Sequence, residues 1–401
     1  MGRRRRSATS KETNLLHLPP EICALICHSE TTEPKTLLQL SRLSHSFRYE
    51  AQRLIYRVVD LRTSSKPLAW ARAVTHNPRL GTYVQRFTLS PSPDLAVAAK
   101  IARALRNCPN IKRLAAQTAY WSPDYNCADD VTHTWIIDNA PFQLTHFSNS
   151  SLRNSFLHPF WNKQTEIQVL SLPLIINSEG KRGFPCREDQ LPKLIALDVA
   201  STNFLPATPR PLQRIQIGVT NPMPNAHQNL RALRRFAATL TVFNFSAVAI
   251  ELMETISVVS QAAPNLQHLG LSEKLSRTGF DHSVISDFVP CPLLQDMKHL
   301  RSFVLYTYTR RRLVLPANTS IGTPEGDHFV HANLNAEALL RVCPALDQVV
   351  VGTYVKKTVD DTVSYTEKTC KVTRVSGDPN RYLTQTGKGF DLAAMGRFWD
   401  I

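Results

Sequence analysis

The chain has 401 residues, of which 43% are hydrophobic, and it carries 47 Lys and Arg against 32 Asp and Glu, a net charge of +15. That is enough apolar material for a large core, and the excess of positive charge permits association with nucleic acid or acidic protein without specifying either. No run approaches the length of a membrane-crossing helix, and the eight cysteines show neither a Cys-x-x-Cys nor a zinc-type Cys/His quartet, so a membrane span and a structural zinc site are excluded from the expectations.

Residues 1–13 read as a disordered basic tail containing Arg3 to Arg6. No apolar segment follows those arginines as a secretory signal requires, so the chain is expected to be intracellular, cytoplasmic or nuclear, with its cysteines as thiols. Residues 14–61 predict three short helices. Pro19 and Pro20 suit a helix start, where no backbone donor is lost, and Ile22, Leu25 and Ile26 recur at helical spacing. Pro34 punctuates, and Leu37, Leu40 and Leu43 form a second stripe. Ser44 or Ser46 caps a third helix along which Phe47, Ala51, Leu54 and Ile55 continue a face. Cys23 and Cys27, one helical turn apart, fit packing rather than metal. Such a unit is too small to stand alone and needs something to pack against.

Residues 62–352 repeat one pattern: a helix, a break at proline, and a short alternating strand. Lys66 to Thr75, with Leu68, Ala71 and Val74 inward, precedes Val84 to Leu89; Ala96 to Leu105 precedes Cys108-Pro109-Asn110 and Ile111 to Leu114. Ile256 to Ala262 leads through Ala263-Pro264-Asn265 into Leu266 to Leu271, and Ala336 to Val342 through Cys343-Pro344 into Leu346 to Val351. Further strands are expected at 169–174, 194–199, 212–217, 240–245 and 300–306. No unit could bury its apolar face alone, so stacking into an α/β solenoid is the expected fold. Tyr120 to His133 and Asn177 to Gln190 interrupt the rhythm as insertions. Residues 353–401 differ: alternation on both sides of Asp360-Asp361 predicts a terminal hairpin, and Asp391 a short capping helix with Leu392, Met395, Phe398 and Trp399 inward.

The pattern Leu18-Pro19-x-Glu21-Ile22, Leu37-Leu38-x-Leu40 and Leu43-Ser44-x-x-Phe47-Arg48 resembles the F-box, the helical module that hooks a Skp-type linker protein in cullin-based ubiquitin ligases. The stretch that follows resembles the irregular leucine-rich repeat arrays found behind F-boxes in many fungal proteins. The resemblance implies a three-helix F-box followed by an irregular leucine-rich repeat-like solenoid. It implies a non-catalytic adaptor, with Leu18, Pro19, Ile22, Leu25, Leu37, Leu40, Leu43 and Phe47 facing the linker and the concave strand surface facing an unnamed target protein.

No catalytic residue, metal ligand or cofactor site stands out. Gly387-Lys388-Gly389 lacks the spacing of a phosphate-binding loop, and His268, between repeat leucines, reads as a satisfied structural residue. Cys108 and Cys343 read as small buried hydrophobes. Triplets for N-glycosylation occur at Asn149, Asn244 and Asn318 and carry no weight without a secretory route. The alternative function is a basic repeat protein binding nucleic acid or an acidic partner. Its strongest support is Tyr306 to Arg312, where aromatic and basic residues interleave.

Overall fold

Prolines open the first two helices and a serine opens the third. In the computed structural model, Pro20 and Pro34 are the first residues of α1 (Pro20–His28) and α2 (Pro34–Leu40). At α3 (His45–Arg57) the Phe47 backbone N–H donates to Ser44 Oγ at 3.3 Å, so Ser44 is the cap. The structure describes residues 18–29, 33–62, 66–90, 94–117, 134–152, 154–173, 183–219, 226–248, 250–274, 286–288, 291–307, 311–313, 336–359, 362–375, 378–387 and 398. They fall into two units, Met1–Leu144 and Thr145–Ile401, with a division inside the predicted repeat region.

In the first unit α3 runs directly into β1 (Val58–Leu61). Then come α4 (Lys66–His76), α5 (Pro78–Thr82), β2 (Arg86–Leu89), α6 (Leu95–Leu105) and β3 (Arg113–Ala116), with β2 parallel to both β1 and β3. Asp94 caps α6 by accepting from the Ala96 N–H at 2.8 Å. Helix α4 faces inward through Trp70, Ala71 and Val74. Leu68, expected inward, is only half-buried, while Trp70 is buried against Phe87, ring centroids 4.9 Å apart. Gly81 of α5 is required by close approach: a Cβ there would collide with the Asn107 carbonyl oxygen.

The second unit contains β4 (His146–Asn149), α7 (His158–Lys163), β5 (Val169–Leu172), β6 (Ala196–Val199), β7 (Arg214–Gly218), α8 (Ala226–Asn229) with a 3-10 helix at Leu230–Phe236, β8 (Val242–Val248), α9 (Leu252–Ala262) and β9 (His268–Lys274). Then follow β10 (Ser286–Phe288), α10 (Cys291–Asp296), β11 (Ser302–Thr307), β12 (Arg311–Leu313) and α11 (336–342). The chain closes with β13 (Gln348–Val359), β14 (Thr362–Val375) and β15 (Asp378–Gly387). Its main sheet follows the order β4-β5-β6-β7-β8-β9-β11-β13-β14-β15, parallel as far as β13 and antiparallel after it, while β10 and β12 form a separate parallel pair. The fold is mixed α/β with an open sheet.

One residue column fixes the register. Leu170, Leu197, Ile215, Phe243, Leu269, Phe303 and Val349 stand opposite one another from β5 to β13, and all are buried to 0% exposure. A slip of one residue would turn the column to the other face of the sheet. Before each strand a second aliphatic is buried: Leu194, Leu212, Leu240, Leu266 and Leu300 are all at 0%. These leucines explain a difference from expectation. The predicted strands at 194, 212, 240 and 300 start two residues before the observed ones, because the leucine belongs to the turn and not to the ladder. Asparagines after the helix-breaking prolines tie neighbouring turns together: the side-chain amide of Asn110 donates to the Thr82 carbonyl at 2.7 Å, and that of Asn265 to the Ala237 carbonyl at 3.2 Å.

The expected terminal hairpin is present. β13 pairs antiparallel with β14 from Gln348↔Thr373 to Val359↔Thr362, and β15 adds a third strand that the alternation did not reveal. Of the predicted final helix only Phe398 lies within the described residues; the insertion at Tyr120 to His133 and the tail at Arg3 to Arg6 lie outside them.

Candidate functional site

The three N-terminal helices have a complete interior of their own. Cys23, Cys27, Leu37, Phe47 and Ala51 are buried together, and Leu18, Leu40, Leu54 and Ile55 pack around them. Burial, reinforced by the nearby Glu50 and Cys23, pushes the Cys27 thiol up, so this is a packing pair of cysteines rather than a reactive one. Arg53 closes the base of the module: it lies 2.9 Å from the Glu50 carboxylate and donates to His28 Nε2 at 3.0 Å, linking α3 to the end of α1. On its other side α3 is held by Tyr49, which meets Tyr83 edge-on at 5.9 Å and lies under the Arg79 guanidinium at 4.7 Å.

With that interior satisfied, large apolar side chains remain outside. Ile22, Leu25 and Ile26 of α1 are 40%, 68% and 40% exposed, and Leu38 and Leu43 are each 53% exposed. Helical geometry explains the split: Cys23 and Cys27 share one side of α1, while Ile22, Leu25 and Ile26 share another. Of the residues expected to face a linker protein, Pro19, Ile22, Leu25 and Leu43 are exposed, and Leu18 and Leu40 are partly buried against the inner cluster. Leu37 and Phe47 lie inside. At 8% and 3% exposure they hold the module together from inside, because α1 and α2 both close onto α3 at those positions. Ile26 and Leu38 are also on the outside. The signal for Leu38 was its adjacency to Leu37, since neighbouring residues on one helical turn do not share a face.

The strand face of the second unit carries a chain of polar groups, all buried except the half-buried Gln216. His268 Nε2 lies 3.1 Å from Asn244 Oδ1; the Asn244 amide donates to Gln216 Oε1 at 3.3 Å, the Gln216 amide to Asp198 Oδ1 at 3.3 Å, and Ser171 Oγ to Asp198 Oδ2 at 2.7 Å. Asn244 Oδ1 only accepts, so Nε2 of His268 carries the proton and every bond points toward the Asp198 carboxylate. Burial lowers the His268 pKa to about 4, which keeps the ring neutral. The expectation of a satisfied structural histidine therefore holds. Asn149 is likewise fully buried, accepting from the Leu152 backbone N–H at 2.7 Å and donating to the Leu152 carbonyl at 2.8 Å. Two of the three glycosylation triplets, those at Asn149 and Asn244, thus have interior asparagines; the third, at Asn318, lies outside the described residues. The strands supply the signal that would have found this chain: Ser171, Asp198, Gln216 and Asn244 each follow the buried aliphatic before their strand by the same interval.

Other features do not assemble chemistry. Burial pushes the Cys108 thiol up to about 12, in keeping with a packing role. A cavity of about 560 Å³ includes Phe184, Arg210 and Arg235 in its lining, but both arginines serve carbonyl groups: Arg210 those of Gln190 and Leu191, Arg235 that of Pro206. Among the described residues no three His, Cys, Asp or Glu side chains are grouped as metal ligands, and no helix is long and apolar enough to cross a membrane. No protein-family model matches the chain, and comparison with curated proteins finds no relative.

Proposed function

We propose that the N-terminal helices are an F-box-like docking module for a Skp-type linker protein, and that the strands and helices after them form an irregular leucine-rich repeat-like solenoid that holds a target protein. The chain is then a non-catalytic adaptor of a cullin-type ubiquitin ligase, working in the cytoplasm or nucleus. Its contribution is proximity: a target lysine is held where other subunits transfer ubiquitin.

The observation that carries this reading is the exposed set Ile22, Leu25, Ile26, Leu38 and Leu43 over a module whose core is already closed. Covering one such side chain contributes about 1.5–3 kcal/mol, so a helix-in-groove partner recovers energy that folding leaves unused. The repeat reading is supported by the parallel strands in chain order and by the shared inward column. The nucleic-acid alternative loses an element it relied on, because Tyr306 is 1% exposed and offers no face for a base.

Co-purification of the full chain with a Skp-type protein tests the proposal. Leu25→Asp is the sharper variant than changes at Leu18, since Leu18 also packs on the interior and its loss would confuse docking with stability. The complex is expected to be lost with Leu25→Asp; a complex that survives it contradicts the assignment.

A further inference from the structure

The strand face of the second unit already has an occupant, supplied by the chain itself. Phe398 is fully buried and packs with Val169 and Ala196, exposed to 1% and 0%, and against Val242. Arg214 Nη1 donates to the Phe398 carbonyl oxygen at 3.2 Å. These four partners are the first residues of β5, β6, β7 and β8, and they stand in one row: Val169↔Ala196, Ala196↔Arg214, Arg214↔Val242. Beyond it the row turns polar, with His268 paired to Val242 on one side and His146 paired to Val169 on the other. A patch of three small or medium apolar side chains around one arginine is thus bounded by histidines, and the Phe398 ring packs on it.

The chemistry of this seat is general. Its apolar residues meet a ring, and its one charged donor meets a main-chain carbonyl, a group every polypeptide carries. We propose that this row is an exchangeable site for an aromatic side chain of a partner polypeptide, and that Phe398 fills it in the free chain. The proposal rests on the reading of the strand face as the target-binding surface, and it names what that surface recognises: an aromatic residue whose carbonyl is within reach of Arg214. A target binds by displacing Phe398, so the contacts Phe398 makes in this seat set the threshold for capture.

The test uses the folded full chain with a protease site placed within residues 388–397. After cleavage, a labelled synthetic peptide of residues 388–401 is added and its binding followed by fluorescence anisotropy. Exchange of the cut segment for the labelled peptide is expected. A peptide carrying Phe398→Ala is expected to bind roughly 30-fold more weakly or worse, the scale of losing a buried aromatic anchor. A cut segment that resists exchange, or a chain that unfolds on cutting, makes Phe398 part of a permanent core and overturns the proposal. Equal binding of the Phe398→Ala peptide overturns it as well. No linker protein takes part in this experiment, and Leu25→Asp leaves its result unchanged, so failure here is separate from failure of the ligase assignment.

Discussion

Two apolar surfaces in this protein differ in one respect: Ile22, Leu25 and Ile26 of α1, Leu38 of α2 and Leu43 of the turn after it stand open, while Val169, Ala196 and Val242 on the strand face are covered by Phe398. The open one lies outside the Cys23, Cys27, Leu37, Phe47 and Ala51 cluster, whereas the covered one is itself buried. The covered one shows how the chain treats an apolar patch it must keep from water, by seating one of its own side chains there. The other patch, with five large aliphatic residues, is left bare, and the proposal of a docking partner accounts for it.

The largest expected effect probes what lies under the open surface. Phe47→Ala removes the ring that α1 and α2 close upon, and is expected to destabilise the module by about 3–5 kcal/mol, read by denaturant unfolding of the full chain. Leu25→Ala, on the outside of the same module, is expected to stay within about 0.5 kcal/mol of the unaltered chain. Similar losses from the two would mean that the open surface is part of the core.

The next effect belongs to the covered surface. His268 pairs in register with Val242, one strand from the row beneath Phe398, and its pKa falls from 6.5 to about 4 on folding. Between those values the unfolded chain binds a proton that the folded chain refuses, so stability is full above pH 6.5 and declines as pH falls toward 4. The loss amounts to about 3 kcal/mol at about 1.4 kcal/mol per unit. Unfolding measured across that range is expected to show a shallower decline in His268→Gln; an unchanged decline would remove His268 from the account. A smaller effect, about 1 kcal/mol, is expected from Ser44→Ala, which deletes the cap on α3 and leaves both surfaces untouched.

Much of the strand placement in the mixed α/β sheet was legible in the sequence, because alternation over four to seven residues has one inward side whatever the neighbouring elements do. The β13–β14 hairpin is the clearest case: its strands pair antiparallel up to Val359↔Thr362, while the predicted turn residues Asp360-Asp361 lie outside the described residues. The side of α1 that faces inward was not legible. Cys23 with Cys27 and Ile22 with Leu25 and Ile26 are both apolar stripes, and only packing on Phe47 decides between them. Leu37 and Leu38 pose the same choice on α2. The run from Ser171 to His268 went unread for another reason: its members lie on five strands, and irregular spacing between strands conceals the constant interval after the buried aliphatic that four of them share. Phe398 read correctly as buried, but its seat on β5 to β8 is a long-range contact that no local pattern encodes.

The central claim is that the open α1 and α2 surface exists to be covered by a linker protein. Titration of a purified Skp-type protein into the full chain and into its Leu25→Asp variant, by calorimetry, tests this most directly. The account predicts a complex with the unaltered chain and a loss of roughly 30-fold or more in the variant, with no change in its unfolding. No complex with the unaltered chain, or one that Leu25→Asp leaves intact, would contradict it.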